Sequence, residues 1–69
     1  MENKLDDKII HNVKKIMKDK KINQRYISVC MNSSPQMVSY LLNKERKLNL
    51  GHVESISKAL DVEVFELVI

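Results

Sequence analysis

Sixty-nine residues, 43% of them apolar and with one Gly, one Pro and no Trp, suffice for one small core in one domain; this composition argues against a turn-rich β fold and for an all-helical one. No apolar run reaches membrane-spanning length and no signal or lipidation motif is present, so a soluble, cytoplasmic protein is expected. The net charge of +3 is uneven: residues 1–21 and 22–47 each carry +3, while residues 48–69 carry −3, and a basic front suits phosphate as well as it suits plain solvation.

In the first segment, Leu5, Ile9, Ile10, Val13, Ile16 and Met17 recur at helical spacing, which predicts a helix over residues 5–19. Asp6 and Asp7 sit at its start, where they cap or charge it, and Lys18, Lys20 and Lys21 near its end, both favourable to the helix dipole. Asn23 is a good N-cap for a second helix, with Ile27 and Met31 inward and Ser28 beside them. Asn32-Ser33-Ser34-Pro35 then breaks it. Asn tolerates a left-handed backbone, and Ser34 can cap a third helix that has Pro35 at its first position and runs over residues 35–42. Val38, Leu41 and Leu42 would face inward, and Asn43 to Lys47 form a charged loop.

A fourth helix is expected from Leu50, capped by Asn49, with Leu50, Val53, Ile56, Ala59 and Leu60 as its apolar stripe. Asp61 ends it and caps the final piece. The tail, residues 62–69, is dense in apolar residues and fits helix and strand patterns alike; it reads as a short fifth helix. Cys30 has no partner for an internal disulfide and no second ligand at metal spacing, so it reads as filler. His11 and His52 are isolated and read as surface residues. With no nucleophile–base pair, metal cluster or phosphate loop, an enzyme is not expected, nor a cofactor or metal.

Residues 24–42 have what two steeply crossing helices joined by a tight turn require. Small Ser28 sits where the backbones approach, Asn32 where the turn takes positive φ, and branched Val38 where the second helix locks onto the first. They occupy relative positions 5, 9 and 15 of a unit that starts at Gln24. Such a unit projects the N-terminal half of its second helix outward, where it can enter a major groove.

On these residues, together with Asn23-Gln24, Val38-Ser39 and the later run Ile56-Ser57-Lys58-Ala59-Leu60-Asp61-Val62, the chain resembles the Cro/repressor-type (Xre-like) helix-turn-helix family over residues 9–67. The resemblance implies a compact, all-α, five-helix, lambda-repressor-like fold with the motif in helices two and three. Ser28 and Asn32 replace the family's usual Ala and Gly, and Ser33 replaces an apolar residue. An Arg–Glu pair frequent in the family is here Met17 and Leu42. Replacing both partners together is physically permitted, whereas losing one costs about 3–5 kcal/mol.

The resemblance further implies a small phage- or mobile-element-like transcriptional regulator, repressor or Cro-like, that occupies a double-stranded operator. By position in the motif, Pro35, Gln36, Ser39 and Tyr40 face the bases, and Gln36 can hold adenine in a bidentate way. Asn23, Gln24, Arg25, Asn43, Lys44, Arg46 and Lys47 are phosphate candidates. A homodimer is expected, with Phe65, Leu67, Val68 and Ile69 read equally as its interface or as the closure of this chain's own core. The competing reading is a protein-interaction module, such as an antirepressor or accessory subunit that binds another regulator; the mild basic surplus and the low polarity of Pro35 and Met37 favour it.

Overall fold

The computed structural model describes residues 4–45 and 47–69, so the phosphate candidate Arg46 lies outside the described residues. Five helices follow one another: α1 (Lys4–Lys20), α2 (Gln24–Cys30), α3 (Pro35–Leu42), α4 (Leu50–Leu60) and α5 (Val64–Val68). Among the described residues there is no strand, and the ambiguous tail is helical.

Local chemistry starts the helices where expected. Asn23 caps α2 by accepting the Tyr26 N–H at 2.8 Å, and Ser34 caps α3 by accepting that of Met37 at 3.2 Å, with Pro35 at the first turn. Asn49 caps α4 by accepting the His52 N–H at 2.8 Å, while His52 Nδ1 accepts the Asn49 N–H in return. Each cap satisfies amide donors that the helix itself leaves unpaired. The expectation that Asp61 caps the last helix is corrected. The N-cap of α5 is Glu63, whose N–H donates to Glu66 Oε2 at 2.7 Å. Asp61 instead ends α4 in the left-handed region, φ 59°.

That ending is repeated. Lys21, Asn32, Lys44 and Asp61 follow α1 to α4, all at φ between 55° and 63°. Each is followed by a residue whose N–H reaches a carbonyl five positions back: Ile22 to Met17, Ser33 to Ser28, Glu45 to Tyr40 and Val62 to Ser57. These are Schellman closures, which pair the last carbonyls of a helix and usually place Gly at the left-handed position. The chain's one glycine, Gly51, is not among them. The packing of the helices therefore holds two lysines with no local preference for this conformation, and Asn32 and Asp61, which tolerate it.

The core gathers Ile9, Ile10 and Val13 from α1, Ile27 from α2, Val38, Leu41 and Leu42 from α3, Val53, Ile56, Ala59 and Leu60 from α4, and Leu67 from α5. Leu48, in the loop before α4, closes it from the side. Burying each larger apolar side chain contributes about 1.5–3 kcal/mol, more than propensity supplies to helices this short. Two members of the expected stripes are exceptions. Leu5 and Leu50 stand at the first turns of their helices, 51% and 69% exposed, beyond the reach of the core. α4 packs against α1, α2 and α5, while α3 packs on α2 and α5 on α1. Leu42 is buried and Met17 packs against the same core, so both positions of the family's ion pair join one apolar cluster.

Candidate nucleic-acid interface

The motif's frame is held by few atoms. Ser28 is buried at the α2–α3 crossing, and its hydroxyl donates to the Arg25 carbonyl at 2.6 Å, so burial leaves no unpaired polar group. Asn32 turns the chain at φ 55°, and the Ser33 N–H closes α2 on the Ser28 carbonyl at 2.8 Å. Ser33 is exposed, so its side chain buries nothing in the turn, and a polar residue is accommodated where the family prefers an apolar one. Val38 is fully buried with Leu41. With this side of α3 committed to the core, the opposite side is turned to solvent.

Pro35, Gln36 and Tyr40 are exposed on that side, and Ser39 is half-buried beside them. Three of them take part in two hydrogen bonds, each spanning one helical turn. Gln36 Nε2 donates to Tyr40 Oη at 2.6 Å, and Asn43 Nδ2 donates to Ser39 Oγ at 3.2 Å. The surface therefore offers donors and acceptors already oriented by their neighbours, with the Pro35 ring as an apolar patch at its leading edge.

The phosphate candidates flank this surface in sequence. Gln24 and Arg25 are exposed on the first turn of α2, with Asn23 before them committed through its oxygen to the cap. Asn43, Lys44 and Lys47 follow α3 and are exposed. Lys44 is held by an ion pair with Asp7 at 2.7 Å, across from the start of α1. No local pattern in the sequence foretells that pair, because its partners are 37 positions apart and meet only through the fold. Tyr26, exposed on α2, stands one turn from Cys30, which raises the phenol's pKa above its ordinary value first through a side-chain hydrogen bond and then through charge. Among the described residues, no three His, Cys, Asp or Glu side chains gather as metal ligands, and no helix is long and apolar enough to cross a membrane.

The tail residues divide. Leu67 is fully buried and Val68 half-buried against the core, while Phe65 and Ile69 are 60% and 71% exposed. Leu67, expected at an interface between copies, is thus part of this molecule's own core, because its position on α5 points it at α1 and α4.

The model of the Cro/C1-type HTH DNA-binding domain matches residues 12–69. No curated protein and no solved structure matches the chain. The match spans all of α2 to α5 and the second half of α1, and the chain belongs to the Cro/C1-type helix-turn-helix DNA-binding family.

Proposed function

We propose that this family member is a sequence-specific transcriptional regulator that lays α3 in the major groove of double-stranded DNA and represses by occupying an operator. The observation that carries the reading is the outer side of α3. A helix anchored by Val38, Leu41 and Leu42 turns Pro35, Gln36, Ser39 and Tyr40 outward, the residue types and spacing that reach base edges over one helical turn. Gln24, Arg25, Asn43 and Lys47 are exposed on both chain sides of the motif and would fix its register on the phosphates. One such helix covers few base pairs, so the protein acts as a homodimer on half-sites about 34 Å apart, with Phe65 and Ile69 supplying the apolar contact.

Two variants test the assignment. Gln36→Ala should cost about 1–3 kcal/mol on a specific site and nearly nothing on a scrambled duplex, whereas Lys47→Ala should weaken both alike and flatten the salt dependence. Titrations on the two duplexes at several salt concentrations measure this. Equal losses for both variants on both duplexes would remove the base-reading role, and no binding to any duplex would leave the protein-interaction reading in its place.

A further inference from the structure

Resting on the DNA-binding reading above, we propose that Tyr40 is a positioning residue: it holds the Gln36 amide in one orientation and thereby makes Gln36 a reader of adenine rather than of either purine. The observation is the 2.6 Å bond from Gln36 Nε2 to Tyr40 Oη on the exposed side of α3.

A glutamine amide has two N–H donors on Nε2 and an acceptor on Oε1. Adenine shows the major groove an acceptor at N7 and a donor at N6, whereas guanine shows acceptors at both N7 and O6. An amide free to rotate serves both purines: it can meet adenine with its N–H and oxygen together, or turn and give guanine a single N–H.

In the orientation seen, the amide nitrogen of Gln36 faces Tyr40 Oη. One Nε2 hydrogen is taken by Oη, which leaves one hydrogen and Oε1 for the base, the complement of adenine. Against guanine the same orientation sets Oε1 opposite an acceptor, a repulsion that grows as the groove excludes water. Tyr40 can hold the amide from its place because it sits one turn from Gln36 on the same side of the helix.

The test begins with selection of bound duplexes from a random pool by the full chain, followed by titration of single-base variants of the consensus. Wild type should discriminate adenine from guanine at one position in each half-site. Tyr40→Phe, which keeps the ring, should lower that adenine preference about tenfold. Gln36→Ala should abolish the preference, and adding Tyr40→Phe to it should change nothing further, since a residue that acts only through Gln36 has no effect once Gln36 is gone. In the free protein, the Gln36 side-chain amide resonances should move in Tyr40→Phe.

An unchanged adenine preference in Tyr40→Phe, or equal effects of that change with and without Gln36, would overturn the positioning role while leaving DNA binding intact. A pool that yields no consensus would overturn the DNA reading itself, and this inference with it.

Discussion

α3 and α5 are both short helices that pack against the same core, yet their outer surfaces differ in kind. α3 inserts Val38, Leu41 and Leu42 and presents two hydrogen-bonded polar pairs, Gln36–Tyr40 and Ser39–Asn43. α5 inserts Leu67, and the Asn12 side chain donates to the Leu67 carbonyl at 2.8 Å; outside it presents bare Phe65 and Ile69. Neither helix is long enough to be stable alone in water, so each exists because of its inner residues. Its outer residues are free of structural duty. On α3 they satisfy one another in a pattern suited to base edges; on α5 they are apolar side chains with nothing described over them, suited to a second apolar surface.

The largest effect should come from attacking the inner anchor of α5. Leu67→Ala should destabilise the fold by about 2–5 kcal/mol, read as a lower denaturation midpoint. Phe65→Ser with Ile69→Ser, one in the first turn of α5 and one just after its end, should change stability by only about 0.5 kcal/mol and shift sedimentation toward monomer at micromolar concentration. If the double variant costs as much stability as Leu67→Ala, the outer residues are structural and the contrast between the two helices fails. If sedimentation does not move, α5 is not the contact between copies.

A smaller effect separates what the fold imposes from what the sequence prefers. Lys21→Gly removes a side chain from a left-handed position, φ 57°, and should stabilise by about 1 kcal/mol. Asn32→Gly should yield less, because Asn already tolerates that region. Thermal unfolding ranks the two, and a destabilising Lys21→Gly would mean that the lysine side chain has a role the backbone angle does not reveal. The same four endings explain what could be read from the chain in advance. The caps Asn23, Ser34 and Asn49 were legible because a cap is a bond between a side chain and an amide three residues away. The turn at Asn32 was legible because Asn favours it. Lys21 and Lys44 carry no such preference, and Asp61 reads as readily as a cap for the following helix; their conformation is set by helices packing around them. Leu48 was missed for a related reason, since a single apolar residue in a charged loop has no periodicity. The bond from Asn12 to the Leu67 carbonyl and that from Lys20 Nζ to the Leu60 carbonyl, at 2.7 Å, join residues 55 and 40 positions apart, and only the fold brings them together.

The smallest expected effect bears on α3's flank. Lys44 is a phosphate candidate by its place after α3, yet in the structure its ammonium is paired with Asp7, both side chains remaining open to solvent. An exposed pair of this kind is worth about 0.2–1 kcal/mol, enough to tax a phosphate contact without preventing it. Asp7→Asn should therefore barely change thermal stability and should tighten binding to specific and scrambled duplexes alike by about twofold to fivefold at low salt, with the gain fading as salt rises. Lys44→Ala in the Asp7→Asn background should abolish the gain, because the carboxylate acts on DNA through this lysine. A gain that survives Lys44→Ala would assign it to the general loss of a negative charge, and would mark Asp7 as a source of repulsion toward DNA rather than a competitor for Lys44. A loss of binding would place Asp7 among the residues that hold the loop after α3 in its DNA-ready position.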